Sequence, residues 1–414
     1  MKNKLNQEKS EFLYKESLDL IPGGILGIRR PYNFVPGEYP VFIERGEGGS
    51  VWDVDGNEYI DMLCSYGPII LGHREKEVDD AVFEQTKKGF CFNLAQPLQN
   101  ELAKVLRRLI PSAETSIFLK TGSDATTAAV RVARGYTEKK VILRCGYHGW
   151  HSWCVEVKGG IPEKLYEDVY GFHYNNVDEL KSLISEHKND IAAIIVTPVG
   201  HPLAQPVVEP AEGFLEACRD LAHENDALLI FDEIRTGFRV SLGGAQKRYG
   251  VTPDLSVFGK AMGNGYPISA LVGKREYMSV IEGKVFISST FFLNSFEMAV
   301  VLKTIEILER EKALDFFWTR GENLLKRIDE VIKNVGIPAE ITGIPVMPYI
   351  FFPRDDEKKY KARRTLFHTF AIREGLFMQP FHHSYIAVRH TNAQLDRIVD
   401  IFNRGLQYVL KEIP

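Results

Sequence analysis

Between about Glu75 and Val272 the chain alternates short, wholly apolar runs with longer stretches whose apolar residues recur every three or four positions. The runs Ser116 to Leu119, Val141 to Arg144, Ile191 to Val196, Ala227 to Phe231 and Ile268 to Val272 have the length of buried strands. Ser123 to Tyr136, Val177 to His187 and Ala211 to Asn225 lie among them with helical spacing. Strand and helix in turn predict βαβ units, and so an α/β fold built on a mostly parallel sheet.

The flanks read differently. Residues 1 to 20 predict an amphipathic helix stopped by Pro22-Gly23-Gly24, with a hairpin following around Asp55-Gly56. After Asn294 a helical pattern runs from Phe296 to Lys312 and on towards Lys333, and a second alternation of strand and helix ends in a helix from Gln394. The division expected from this is a large domain over residues 62–305 and a smaller α+β domain over 306–414, to which residues 1–61 contribute.

Composition narrows the class. With 414 residues, 44% hydrophobic and 26% charged, the chain is long enough for two domains with full cores. No window approaches about eighteen consecutive apolar residues, and the N-terminal stretch has no hydrophobic core of the secretory kind, so a cytoplasmic protein is expected. A net charge of -4 and a pI near 6.3 argue against a nucleic-acid surface, and the short basic run Lys361 to Arg364 reads as a solvated face. Five scattered cysteines without a CxxC pair imply neither a zinc site nor disulfides.

Four segments carry candidate chemistry. Thr121-Gly122-Ser123-Asp124-Ala125 marks a strand-to-helix turn, where free N–H groups, the helix dipole and the Ser123 hydroxyl suit a phosphate; an ordinary N-cap at Ser123 is the alternative. In Leu228 to Ile234 a carboxylate, Asp232, ends a buried strand and needs a cationic partner, whether a protonated pyridine nitrogen, a metal or a structural ion pair. Lys260 follows Ser256-Val257-Phe258-Gly259 and lies 28 positions after Asp232; a buried lysine tends to the neutral amine that forms Schiff bases, whereas most Gly-Lys pairs are surface turns. Gly146-Tyr147-His148-Gly149-Trp150 offers an aromatic ring that can stack on a planar cofactor or simply pack the loop.

In order and spacing the stretches PGGILGIRR, VWDVDGNEYIDM, YGPIILGH, TGSDATTAAVRVARGYT, YHGW, IFDEIRTGFR, VTPDLSVFGKAMGNGYPISALVG and SSTFFLNSFEMA resemble the class III aminotransferases, which depend on pyridoxal 5'-phosphate (PLP). Within that family they are most similar to glutamate-1-semialdehyde aminomutases. The resemblance runs from Pro22 to Ala299 and implies the aspartate aminotransferase-like fold, fold type I. It makes Lys260 the Schiff-base lysine and Asp232 the partner of the pyridine nitrogen. It places Ile234 and Tyr147 on the two faces of the ring, with His148 beside them, and Gly122 and Ser123 at the phosphate. Thr290 matches a threonine that reaches the phosphate of a neighbouring subunit, which implies a homodimer with shared active sites. Arg30 matches an arginine that binds a substrate carboxylate in the aminomutases, and Ser65 and Tyr66 fall among the substrate-selecting residues.

The departures concern the substrate. Where the family usually has Glu-Pro-Val, this chain has Thr197-Pro198-Val199. Where many ω-aminotransferases have an arginine for the α-carboxylate, rough counting puts His382 or His383, with Arg389 nearby. The stretch between Trp150 and Phe172 is also shorter than the aminomutase gating loop. The expected activity is a ping-pong transfer of an amino group from an amino donor to a keto or aldehyde acceptor; the alternative is an aminomutase or other PLP-dependent isomerase.

Overall fold

The computed structural model describes residues 1–200 and 206–414, which divide into two compact units. The smaller unit joins Met1–Glu75 to Asp315–Pro414, together with a short stretch around Val207; the larger spans the remainder from Lys76 to Leu314. In the smaller unit, helix α1 (Glu8–Leu20) precedes the meander β1 (Ile43–Glu47), β2 (Ser50–Asp53) and β3 (Glu58–Asp61). The expected hairpin turn is there. Asp53 Oδ1 accepts the N–H groups of Asp55 and Asn57 at 3.0 and 2.8 Å, and Gly56 takes φ +88°.

The larger unit continues through α2 (Lys76–Thr86), α3 (Pro97–Leu109), β4 (Thr115–Leu119), α4 (Gly122–Thr137), β5 (Val141–Cys145), β6 (Val169–Gly171), α5 (Val177–Glu186) and β7 (Ile191–Val196). It then forms α6 (Phe214–Glu224), β8 (Leu228–Asp232), α7 (Gly244–Tyr249), β9 (Leu255–Phe258), β10 (Ser269–Gly273), the single-turn α8 (Arg275–Met278) and α9 (Phe296–Arg310). Its seven-stranded sheet has the order β4-β10-β9-β8-β7-β5-β6. Strands β9, β8, β7, β5 and β6 run parallel, and β10 is antiparallel to both β9 and β4. Every residue of β7, β8 and β9 is buried, the mark of central strands covered on both faces. Helix α4 lies on the sheet through Ala125, Ala128, Ala129, Val132 and Ala133, whose small side chains let the two backbones approach closely. Burying each Ile, Leu or Phe of this core contributes about 1.5–3 kcal/mol.

The remainder of the smaller unit comprises α10 (Ala313–Val335), the hairpin β11 (Glu340–Ile344) and β12 (Met347–Phe351), α11 (Lys359–Arg373), β13 (Leu376–Phe377) and α12 (Asn392–Glu412). Strand β13 pairs parallel with β3, so the ends of the chain share one sheet in the order β1-β2-β3-β13. Arg373 clamps Glu38 with two bonds of 2.6 and 2.7 Å.

Several expectations from the sequence shift. The boundaries lie at residues 75/76 and 314/315 rather than 61/62 and 305/306. Gly48 and His73 exchange backbone bonds of 3.0 and 2.8 Å, and Val388 and Arg389 donate to Ile70 and Leu71 at 2.8 Å, which ties residues 62–75 to the smaller unit. The helical pattern from Phe296 towards Lys333 breaks at Glu311-Lys312 into α9 and α10. Helix α9 stays with the larger unit through the Arg108–Glu309 and Arg310–Glu77 ion pairs. The basic run is only partly solvated, because Arg363 is buried and binds Asp355 and the last two backbone carbonyls. Strand β6 escaped the reading because Val-Tyr-Gly is too short to show a period.

Candidate active site

The carboxyl ends of β5, β7, β8 and β9 bring the large-unit candidates to one edge of the sheet. Asp232 is the last residue of β8 and is buried. Its Oδ2 lies 2.8 Å from His148 Nδ1, and its Oδ1 accepts the Ile234 N–H at 3.1 Å. His148 is itself buried and its ring runs parallel to that of Trp153, 6.3 Å away. It therefore acts on the site through Asp232, which it orients, and the carboxylate keeps acceptor capacity beyond these two bonds. Among the described residues no group of three or more His, Cys, Asp or Glu is arranged to hold a metal ion.

Lys260 follows β9 with φ +47°, a left-handed conformation that a lysine adopts only when its surroundings enforce it. Burial pushes its amine down to about 7, the neighbouring Arg235 and Arg239 push the same way, and Asp232 opposes them. A neutral amine is the nucleophilic form. Ile234 sits between the two glycine turns: a Cβ on Gly122 or on Gly259 would approach its side chain to 3.1 Å, so these glycines let an apolar side chain close one side of the site.

The N-terminus of α4 is the third part. The N-cap is Thr121 rather than Ser123: Thr121 Oγ1 accepts the Asp124 N–H, and Asp124 answers with a 2.8 Å bond from the Thr121 N–H. The Ala125 N–H begins the helical ladder on Thr121 O. That leaves the N–H groups of Gly122 and Ser123 at the positive end of a sixteen-residue helix, an arrangement that binds phosphate. The Ser123 hydroxyl accepts the Trp150 N–H at 3.3 Å, and a Cβ on Gly149, whose φ is +116°, would strike that hydroxyl. Tyr147 projects from the same loop and is 59% exposed, free to cover a ring held below it. Thr290 lies exposed in the segment that precedes α9.

The smaller unit carries the other candidates. Cys64, Ser65 and Tyr66 have φ of 46, 54 and 68°, followed by Gly67 at 105°. Three successive non-glycine residues in the left-handed region each cost about 1–2 kcal/mol. Asp61 Oδ1 holds the turn by accepting the N–H groups of Leu63 and Cys64, both at 2.9 Å. Ser65 and Tyr66, with Arg29 and His73, line a cavity of about 280 Å³. Tyr66 meets His382 edge to face at 5.1 Å, and His383 Nε2 lies 2.7 Å from the Tyr385 hydroxyl. Arg30 directs Nε and Nη2 to the carbonyls of Ile25 and Pro22, at 3.0 and 3.1 Å, and so braces its own loop. Arg389 pairs with Glu75 at 2.8 Å.

A neutral lysine, a buried carboxylate and a helix N-terminus at one sheet edge have the chemistry that PLP requires: a carbonyl partner, a pyridinium partner and a phosphate cradle. The family model for aminotransferase class III matches residues 34–406. The chain belongs to the class III aminotransferases. It is 58% identical to the 3-aminobutyryl-CoA aminotransferase of Cloacimonas acidaminovorans, across 99% of this chain and 100% of that protein. It is 33% identical to glutamate-1-semialdehyde 2,1-aminomutase 2 of Brevibacillus brevis, across 98% of this chain and all of that one. Among solved structures, the FumI protein of Sphingopyxis sp. MTA144, solved in its PLP internal aldimine form, superposes with a TM-score of 0.93 at 29% identity and covers 97% of both chains. This class III aminotransferase is accordingly a PLP-dependent enzyme that moves amino groups between a donor and a carbonyl acceptor.

The sequence reading did not single out one buried charge near this site. Arg235 sits in the quoted stretch IFDEIRTGFR, is buried, and acts on Lys260, yet in sequence it reads only as a loop cation. The signal available was its place three residues beyond a strand-ending aspartate.

Proposed function

We propose that this aminotransferase acts on a β-amino acyl thioester of the 3-aminobutyryl-CoA kind. The observation that carries the reading is the 58% identity, over essentially the whole of both chains, to an enzyme of that name. The substrate-side departures agree with it. A thioester has no free carboxylate at its acyl end, and the chain has Thr197 and the His382-His383 pair where its family usually carries a glutamate and an arginine. His383 is engaged with the Tyr385 hydroxyl, and Tyr66 packs edge to face on His382, an aromatic surface suited to an acyl thioester.

The residues divide the work as follows. PLP, once bound, supplies the ring that takes up the electrons left behind when a proton departs from the amino-bearing carbon. Asp232, oriented by His148, would accept the pyridine N–H and keep that nitrogen charged. The N–H groups of Gly122 and Ser123 would hold the phosphate, while Ile234 and Tyr147 would close the two ring faces. Lys260 would anchor the cofactor through its amine and, when that amine is free, serve as the base for the proton on the amino-bearing carbon.

A homodimer completes this reading. Phe90, Phe92 and Leu94 are exposed, as are Phe286, Phe291 and Leu293, and the two stretches are joined by a 3.0 Å bond from Ser295 N–H to Phe90 O. Thr290 lies in the second of them. A second copy covering this face would shield the apolar side chains and bring Thr290 to its active site. Five cysteines in no disulfide, four of them buried, support a cytoplasmic location.

The test is a single half-reaction. Mixed with 3-aminobutyryl-CoA and no acceptor, the holoenzyme should lose the visible band of bound PLP, and free 3-aminobutyrate should react far more slowly. Equal reaction of the free acid would remove the thioester reading. The aminomutase alternative keeps Arg30 and the relatives at 33% identity in its favour; product formed from one substrate without a co-substrate would select it.

A further inference from the structure

The smaller unit holds a second cavity beside the one that Ser65 and Tyr66 line. The first, of about 280 Å³, and its neighbour, of about 360 Å³, have Arg29, Phe34, Pro40 and Val41 as common wall. They adjoin there, and together they reach from the Ser65-Tyr66 loop to the flank of α1, where Ser10, Tyr14 and Lys15 line the far end. Joined, they fall well within the range of about 300–1,000 Å³ for small-molecule sites.

The wall is stiff and close to neutral. Pro31, Pro36 and Pro40 fix φ along it, and Phe34 packs on Tyr39 and Phe377 at 5.1 and 5.9 Å. The far cavity carries Glu11 and Lys15, one charge of each sign, and Glu11 is held by Lys4 at 2.9 Å. In the near cavity Asp61 is engaged with His73 at 2.9 Å. Arg29 is the cation where the two meet.

The two consecutive arginines differ. Arg30 donates to the Ile25 and Pro22 carbonyls at 3.0 and 3.1 Å and so braces its own loop. Arg29 is exposed; its guanidinium lies over the Tyr66 ring, 5.7 Å from the centroid, and among the described residues it pairs with no carboxylate. The Tyr66 hydroxyl donates to Ile28 O at 3.3 Å, which ties the Ser65-Tyr66 loop to the segment that carries Arg29. The donors of this guanidinium remain available to a ligand in the cavities.

An acyl-CoA has a part that suits this arrangement. Between its thioester and its diphosphate lies the pantetheine arm, a slender uncharged chain whose two amides offer carbonyl acceptors. Taking the substrate to be the thioester proposed above, we propose that the adjoining cavities form one channel for the pantetheine arm, and that Arg29 binds the arm by donating to its amide carbonyls. The diphosphate and nucleotide lie beyond α1, outside the channel, because Glu11 and Lys15 leave its far end without the net positive charge that would hold them. Arg29, and not Arg30, is then the arginine of the pair that touches substrate.

Calorimetric titration of the full-length holoenzyme with S-ethyl-pantetheine and S-ethyl-CoA, thioethers without a reactive thiol or amine, tests the channel. The wild type should bind both with similar affinity, since the arm is common to them. Arg29→Gln should weaken both about ten-fold, as loss of a hydrogen bond from a charged donor does. Val41→Phe, which fills the junction without removing a charge, should weaken them at least as much. In turnover Arg29→Gln should raise KM for 3-aminobutyryl-CoA about ten-fold while kcat changes less than about two-fold, because arm binding is lost equally from ground and transition states. Arg29→Lys should recover part of the affinity. Wild-type affinity for the thioethers in Arg29→Gln and Val41→Phe would overturn the proposal. So would tight binding of S-ethyl-CoA with no binding of S-ethyl-pantetheine, which would put the affinity in the nucleotide. Should Val41→Phe not fold, Arg29→Gln alone decides, because it alters an exposed side chain. A wild type whose bound-PLP band survives 3-aminobutyryl-CoA would refute the substrate reading itself, a separate outcome.

Discussion

Asp232 and Lys260 stand at the ends of strands whose every residue is buried, whereas Ser65 and Tyr66 sit in a loop kept left-handed by one aspartate and a handful of backbone bonds. In the first region the sheet fixes the side chains, and the polar groups answer one another: His148 to Asp232, Asp232 to Lys260. In the second, aromatic rings and imidazoles from distant parts of the sequence meet, Asp61 braces the loop, and Arg29 lies 5.7 Å from the centroid of the Tyr66 ring. The contrast separates the chemistry common to the family from what selects the substrate. On the proposed reading, rigid strand ends carry the former and strained loops the latter.

Substitutions break this comparison with graded force. Lys260→Ala removes both the anchor and the proton carrier, and kcat for transamination should fall by about 10⁴ or more. Asp232→Asn leaves the shape but discharges the pyridine partner, and a loss of about 10²–10³ in kcat with a modest change in KM is expected. The loop region should respond in KM and substrate choice instead. His383→Arg introduces a cation near the position where many ω-aminotransferases are expected to have one, and should shift preference from thioester to free carboxylate by about 10–100-fold in kcat/KM, the worth of a charged hydrogen bond. Ser65→Gly should be mildest. With φ +54° relieved, thermal stability should stay within about 1 kcal/mol of the wild type, so any rise in KM reports the lost hydroxyl alone. If Ser65→Gly lowered kcat as much as Asp232→Asn, the division between the regions would be wrong.

The sequence disclosed these regions unequally, for the same reason. Strands β5, β7 and β8 were legible because wholly apolar runs of strand length admit few other readings, and their ends named Asp232 and the Tyr147-His148 loop. The N-cap was misplaced by two residues, since Thr121 and Ser123 are equally good cap residues and only the reciprocal bonds with Asp124 distinguish them. The burial of Arg235 was not legible because it lies in a turn pressed against β9, a long-range contact without local signature. His148 was read as a neighbour of the cofactor, whereas its bond to Asp232 crosses 84 positions of sequence. The boundary at Glu75 was missed because residues 62–75 carry no hydrophobic period and are held by bonds to Val388 and Arg389.

The most direct measurement of the central claim is to reduce the resting protein with borohydride, digest it and locate the phosphopyridoxyl mass. It should fall on the peptide containing Lys260, in near-stoichiometric amount, and vanish in Lys260→Ala. A label on any other lysine, or none on a protein that still transfers amino groups, would contradict the account.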